Sequence, residues 1–575
     1  MTFNELLKKA DNEKISQAGH KFKLALLGNY ATQFLTKAIE ASGTVNSIEL
    51  SVYEAGYDQI ENEIINPVSE LYTFKPDGIL FCFSARKLRS KFHTLPDDKK
   101  QKFAVDFIEK IEELIEIVES RLQSKILFCN IEELDDAVFG NFASNTPFSF
   151  VNQIRRLNVF LMDLTAKKNN TFIVDIQNLL VQKGLGYSYS SSFYINADLV
   201  YSLDFTADIA SQVVKIIQSL LGKFKKCLIL DLDNTLWGGI IGDDGMEGIE
   251  IGSLGIGKAF TELQKWAKAL KQRGIILAVC SKNEEAIAKE PFEKHPEMVL
   301  RLNDIAVFIA NWNNKADNIR ELKNILNIGF DSMVFLDDNP VERQIVQKTI
   351  PDILVPDLPE DPANYLEFLI SENIFETTSF SGNDAARTKQ YQQESKRHSY
   401  GKQFTNVNAF LENLNMKSRV REITPFDVQR VSQLSLRSNQ FNLRTVRYSL
   451  ADIERIMESE NHIHYVIYLE DDFGDYGLIN IVILEKINSS ELFIDTWVMS
   501  CRVANRGLEK FIFNKIANDA KAKGFSSIVG EHIPTKKNMP VKDHYQKLGF
   551  HKKDSKWYRE LDKFADFETT IKEGE

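Results

Sequence analysis

Short apolar runs alternate with segments of helical period along most of the chain, the pattern that builds parallel α/β sheets. Over residues 1–222 the runs Lys23-Leu-Ala-Leu-Leu-Gly28, Gly78-Ile-Leu-Phe-Cys-Phe83, Lys125-Ile-Leu-Phe-Cys129 and Thr171-Phe-Ile-Val-Asp175 read as buried strands. Helical spacing lies between them, as over 103–123, which predicts a doubly wound domain. Residues 223–370 repeat the pattern with Lys226-Cys-Leu-Ile-Leu230, Gly274-Ile-Ile-Leu-Ala-Val-Cys280 and Ser332-Met-Val-Phe-Leu336. The stretch 371–418 is polar, and its charged segment 384–398 reads as a connecting helix with a solvated face. In 419–575, His464-Tyr-Val-Ile-Tyr-Leu469 and Gly477-Leu-Ile-Asn-Ile-Val-Ile-Leu484 flank Asp471-Asp-Phe-Gly-Asp475, whose aspartates shape a hairpin turn. A further strand, Leu492-Phe-Ile-Asp-Thr-Trp-Val-Met499, leads through Ser500-Cys501-Arg502 to a helix over 508–521. The expected fold class is α/β throughout.

The residues that end the strands of 223–370 carry the chemistry. Asp231 and Asp233 follow the first strand. Alternation puts both on one side, toward the crevice beyond the carboxyl ends where open α/β sheets bind ligands. Carboxylates so close repel each other unless a cation joins them, and Mg²⁺ favours hard oxygen ligands. One aspartate is then placed to attack phosphorus while the other carries a proton. Ser281 ends the second strand and suits a phosphate oxygen. Lys315, in Asn311-Trp-Asn-Asn-Lys315, supplies positive charge, and the third strand ends in Asp337 and Asp338, the remaining metal ligands expected.

Strand plus Asp-x-Asp-x-Thr, strand plus Ser, Lys, then strand plus Asp-Asp resembles the ordered pattern of the haloacid dehalogenase (HAD) superfamily. The resemblance implies a HAD Rossmannoid domain with Asp231 as nucleophile and metal ligand. Asp233 would be the general acid/base, with its backbone carbonyl on the metal. Ser281 and Lys315 would orient the phosphoryl group, Asp337 and Asp338 would bind Mg²⁺, and Thr235 and Asn283 would meet the substrate. Trp237 would shape the mouth of the site. Dehalogenases lack the second aspartate, so phosphoryl transfer is expected rather than carbon–halogen cleavage. Too few residues separate Asp233 from Ser281, and Ser281 from Lys315, for a sizeable cap domain. A capless site needs its substrate, or a flanking domain of the same chain, to exclude water.

Size and composition fit such an enzyme. A chain of 575 residues allows roughly three to four domains, and 43% hydrophobic content supplies their cores. A net charge of −11 leaves no basic footprint for nucleic acid. The N-terminus lacks a signal-peptide core and no apolar run reaches the length of a membrane span, so no membrane insertion is expected. Five scattered cysteines without paired spacing or histidine neighbours suggest reduced thiols in a cytoplasmic protein and no zinc.

The flanking regions resemble other families. Leu27-Gly28-Asn29-Tyr30 stands where SGNH-type hydrolases carry Gly-Asp-Ser, but the serine and a later Asp-x-x-His are missing, and Ser84 has no evident histidine partner. A degenerate SGNH-like domain with a docking or structural role is expected over 1–222. In the last region, Arg502-Val-Ala-Asn505-Arg506-Gly507 precedes a helix whose N–H groups can receive an anion. It resembles the pyrophosphate loop of GCN5-related N-acetyltransferases (GNAT), with Asn505 in place of a glycine. Asp543-His-Tyr545-Gln-Lys-Leu-Gly549-Phe550, with Asn538 upstream, is similar to their Tyr-x-x-x-Gly-Phe element. The resemblance implies a GNAT-like domain over 419–575. Arg502, Asn505, Arg506, Gly507, Asn538 and Tyr545 would then hold CoA or phosphopantetheine.

The whole arrangement resembles FkbH-like proteins. The carriers are Asp231-Leu-Asp-Asn-Thr-Leu-Trp-Gly-Gly239, Phe335-Leu-Asp-Asp-Asn-Pro340, Ser438-Asn-Gln-Phe-Asn-Leu443, Phe473-Gly-Asp475 and Ser500-Cys-Arg502. That resemblance implies an enzyme that takes a glyceryl unit from a small phosphorylated acid of the 1,3-bisphosphoglycerate type, releases phosphate, and loads the acyl group on an acyl carrier protein. Cys501, near Arg502 and Arg506, is a candidate transient acyl acceptor, set against a plain strand-end cysteine. Asn439, Gln440 and Asn442 either bind polar substrate groups or form a turn and cap set. The alternative function is a phosphatase for a sugar or acyl phosphate in surface-polysaccharide assembly, with the last domain acylating an amino sugar. A third is a carrier-docking scaffold, which the intact aspartate, serine and lysine set disfavours.

Overall fold

Strand β1 (His20–Gly28) sends Leu24 and Leu26 into one core and Ala25 and Leu27 into another, so both faces of its sheet are covered. The computed structural model describes residues 1–13, 20–134, 136–380, 387–504, 506–535 and 537–574. β1 is joined by β2 (Ile48–Glu54), β3 (Gly78–Cys82), β4 (Lys125–Cys129) and β5 (Thr171–Val174) in a parallel sheet of order β2-β1-β3-β4-β5. Helices Gln33–Val45 and Leu203–Leu220 cover one face, and Phe103–Arg121 and Phe150–Lys167 the other. The doubly wound expectation holds. Asn29, just before Tyr30 at the position of the missing SGNH serine, accepts a hydrogen bond from the Ser84 backbone N–H at 2.9 Å, tying the end of β1 to the end of β3.

The chain divides into two compact units between Leu221 and Gly222, so the predicted regions 223–370, 371–418 and 419–575 lie in one unit. Its first sheet is parallel, in the order β8-β7-β6-β9, built from β6 (Cys227–Leu230), β7 (Ile276–Ser281), β8 (Val307–Ala310) and β9 (Met333–Leu336). No cap domain is inserted between these strands.

The second sheet of this unit is mainly antiparallel. Its strands are β10 (Lys417–Arg421), β11 (Phe441–Asn442), β12 (His462–Asp471), β13 (Gly474–Lys486), β14 (Glu491–Met499), β15 (Ser527–Glu531), β16 (His551–Lys553), β17 (Lys556–Glu560) and β18 (Lys572–Glu573). β12 and β13 form the predicted hairpin. β14 and β15 run parallel, joined through helix Leu508–Ala522, but pair only over Glu491–Phe493 with Ser527–Val529 before diverging. The edge of β14 that β15 leaves is taken by β11, with Phe441 opposite Met499 and Asn442 opposite Val498.

The charged connector is not simply solvated. In helix Arg387–Gly401, Arg397 is 1% exposed and grips Asp471 with two hydrogen bonds of 2.8 Å, while Tyr391 packs under the β6–β9 sheet. The face carrying Gln390, Glu394 and Arg397 meets partners on the second sheet, which composition alone does not reveal. Deleting one member of a buried pair strands the other, so Arg397→Met is expected to cost about 3–5 kcal/mol, read as a lower midpoint of thermal unfolding. Among the described residues no helix is long and apolar enough to cross a membrane.

Candidate active site

The sequence-predicted groups of the first sheet converge at its carboxyl ends. Asp231 follows β6, Ser281 closes β7, Lys315 opens the helix Lys315–Leu326 after β8, and Asp337 and Asp338 follow β9. Lys315 Nζ lies 2.9 Å from Asp231 Oδ2 and 2.6 Å from Asp337 Oδ2. The Ser281 hydroxyl stands beside Asp231 as a hydrogen-bond donor. Asp233 is turned aside: Oδ1 accepts from Trp237 Nε1 at 2.9 Å and Ile241 N at 3.0 Å, and Oδ2 accepts from Asn283 Nδ2 at 3.1 Å. Asn283 therefore positions Asp233. Trp237, expected at the mouth, is instead fully buried and holds the same carboxylate from below. Thr235 likewise serves the loop, exchanging hydrogen bonds with Asp338 through its hydroxyl.

Carboxylate oxygens of Asp231, Asp337 and Asp338 lie within 4.8 Å of one another. Burial pushes Asp337 up to about 6, with the Asp231 charge adding to it. Burial also raises Asp231 against the pull of Lys315, and burial with the Asp337 charge raises Asp338. Burial alone would lower Lys315, but the carboxylates of Asp231 and Asp337 outweigh it and hold the ammonium well above its usual range. Three carboxylates against one ammonium leave an excess of two negative charges. Asp231 Oδ1 is buried without a protein hydrogen-bond partner. Such a hard-oxygen cluster fits a divalent cation such as Mg²⁺.

The groups predicted for the last region are engaged within the protein. Arg502 donates to Gln390 Oε1 at 2.7 Å and Arg506 to Glu394 Oε1 at 2.7 Å, both on the connector helix. Arg506 also donates to the Tyr476 hydroxyl at 2.5 Å. Asn538 is fully buried and its amide donates to the carbonyls of Asn442 and Ile533 at 3.0 and 2.9 Å, pinning β11. Tyr545 is buried. Gly507 adopts φ +76° and caps helix Leu508–Ala522, while Asn505 lies outside the described residues. Asn442 accepts from Thr445 N, as a turn residue does, while Asn439 donates to the distant Gly222 carbonyl. Cys501 is half-buried beside Phe330, under the β6–β9 sheet.

Known proteins resemble parts of this chain. Residues 23–218 match the family profile described as FkbH, N-terminal domain. A crystal structure of the N-terminal part of the protein BF1531 from Bacteroides fragilis, containing a phosphatase domain complexed with Mg, is 47% identical. It covers 66% of this chain and 100% of its own, with a TM-score of 0.64. The chain belongs to the FkbH-like family. The ribosomal-protein-S18-alanine N-acetyltransferase from Escherichia coli aligns over 26% of this chain and 96% of its own, at 11% identity and a TM-score of 0.20. Spermidine N-acetyltransferase from Vibrio cholerae, in complex with CoA and spermine, aligns over 26% and 97%, at 14% identity and a TM-score of 0.21. No curated protein matches the chain.

One site residue of this FkbH-like chain escaped sequence reading. Arg343 is buried, and its Nη1 donates to the carbonyls of Asp337 at 2.9 Å and Asp338 at 2.6 Å, while Nη2 pairs with Asp357. It fixes the Asp337–Asp338 turn, and its position on the helix after that turn was the available signal. If a divalent cation binds at Asp337 it displaces the proton there, and Mg²⁺ affinity is then expected to fall about tenfold per pH unit below about 6, measured by titration calorimetry. Without metal the sign reverses for stability. A folded-state value raised from 3.8 to about 6 stabilises at low pH, and that contribution is lost as pH rises through about 6.

Proposed function

We propose that this chain is a Mg²⁺-dependent phosphatase and acyl transferase acting on a phosphorylated three-carbon acid of the 1,3-bisphosphoglycerate type, with an acyl carrier protein thiol as final acceptor. The observation that carries the phosphatase half is Asp231, a buried carboxylate with one oxygen held by Lys315 and the other without a protein partner. Its oxygen would attack phosphorus as the phosphorus–oxygen bond to the leaving group breaks. The leaving oxygen takes a proton from Asp233, which three donors hold in reserve beside the nucleophile. Water then attacks the aspartyl phosphate, gives its proton to Asp233, and inorganic phosphate departs. Lys315 and Ser281 hold the phosphoryl oxygens, and bound Mg²⁺ would neutralise the charge gathered on them. The Mg complex of the Bacteroides fragilis phosphatase domain supports this reading.

The acyl half rests on the family and on the half-buried Cys501. Its sulfur would bond to the acyl carbon of an acyl phosphate, the carbon–oxygen bond to phosphate breaks, and phosphate leaves with the electron pair while solvent takes the thiol proton. The carrier thiolate then displaces Cys501 in the same manner. Intact-protein mass spectrometry after incubation with Mg²⁺ and 1,3-bisphosphoglycerate, with and without phosphopantetheinylated carrier, tests it. A glyceryl adduct that moves to the carrier is expected, and Cys501→Ala should abolish it.

A second reading is a phosphatase for a sugar or acyl phosphate without acyl capture. It is favoured by the position of Cys501, which packs against residues preceding β9, whereas Asp231 lies at the opposite ends of the same strands. Phosphate release with no adduct on either protein would establish it.

A further inference from the structure

A cavity among the described residues lies away from the aspartate site. It has a volume of about 470 Å³ and opens between the amino ends of β6 and β9, the connector helix and the second sheet. Lys226, immediately before β6, and Ser332, immediately before β9, contribute to its floor. β6 separates that floor from Asp231 by four residues, about 13 Å of strand. The cavity and the aspartate cluster are thus two sites on one sheet.

Its charge is one-sided. Seven of the lining side chains are lysine or arginine, drawn from helices and loops around both sheets and from the connector, against two carboxylates, Asp331 and Asp352. Asp331 is already paired with Lys537. Lys226 Nζ donates to a neutral partner, the Arg437 carbonyl, at 2.5 Å. Burial draws Lys226 down to about 8; Cys501 and Asp331 pull it back up, while Lys537 and Arg387 add to the fall. All this stands in a chain of net charge −11, so the positive charge is local to the cavity. The volume suits one small molecule or one flexible arm rather than a polymer. Tyr391, Phe330 and Phe441 add apolar wall, and Cys501 opens into the same space.

We propose that this cavity binds an organic phosphate, its anionic end met by the lysines and arginines and its other end reaching the Cys501 thiol. Two sources share that chemistry: a small phosphorylated acid, and the phosphopantetheine arm of a carrier. The role of Cys501 rests on the acyl-transfer reading above; the phosphate site rests on the cavity alone.

Cys501 provides the readout, because the other four cysteines are buried. The full chain carrying Asp231→Asn, which removes turnover, is alkylated with iodoacetamide and modification of Cys501 is followed by peptide mass spectrometry. The probes are 3-phosphoglycerate and S-methyl phosphopantetheine, with glycerate and S-methyl pantetheine as phosphate-free counterparts. A phosphorylated probe at ten times its Kd is expected to slow alkylation about tenfold, and its counterpart to do nothing. Which phosphorylated probe protects identifies the source. Arg430→Gln, or Lys323→Gln should the first not fold, is expected to weaken that protection. Equal protection by the phosphate-free compounds, or none by any probe, overturns the proposal. Neither result depends on whether the aspartate site hydrolyses phosphate.

Discussion

Asp231→Asn is expected to lower Mg²⁺-dependent phosphate release by about 10⁴-fold or more, the scale seen when a covalent nucleophile is removed. The substitution keeps the shape of the side chain and its contact with Lys315 but takes away a negative charge from a buried cluster of three. The metal-free protein should therefore melt no lower than the wild type, because the lost charge was costly to bury. Activity and stability move apart, which separates a nucleophile from a residue that merely holds the fold. Asp233→Asn offers the comparison. An acid/base loss costs about 10²–10⁴-fold and should shrink for phosphate esters whose leaving group needs no proton. A variant at Asp231 that still turned over, or that failed only by unfolding, would remove the aspartyl-phosphate mechanism.

Lys315→Met is expected to show the largest effect on stability. Lys315 is buried within 2.9 Å of one carboxylate and 2.6 Å of another, and its removal leaves three acids with no counter-charge. Breaking such a buried arrangement costs about 3–5 kcal/mol, moderated where the acids take up protons. Added Mg²⁺ should restore most of it, so the metal-induced rise in melting temperature should exceed that of the wild type. Equal melting with and without Mg²⁺ in the variant would show that the acidic cluster does not receive the cation.

The aspartate site was legible because Asp231, Ser281 and Asp337 each end or follow an uninterrupted apolar run, in β6, β7 and β9. β2 and β8 were not foreseen. β2 buries only its first side chain fully, and β8 is a short run of four residues with Phe308 left partly exposed, so neither shows a continuous apolar run. Trp237, Arg343 and Arg397 were misread or missed. Trp237 and Arg343 act on groups four to six residues away in their own loop and turn, whereas Arg397 meets Asp471, 74 residues away. The connector carried a readable signal, since Gln390, Glu394 and Arg397 fall at helical spacing on one face. Composition suggested solvent; spacing pointed to a partner surface.

The short strand Phe441–Asn442 also decides who can compete for the edge of β14. A segment tethered to the same chain is present at an effective concentration of about millimolar, with no association entropy left to lose. A freely diffusing ligand that bonds to that edge as an extended arm would have to displace it, and at micromolar levels it would lose. An arm delivered by a docked carrier is itself tethered and meets the segment on equal terms. Occupancy of that edge is then governed by docking of the carrier rather than by the supply of free ligand.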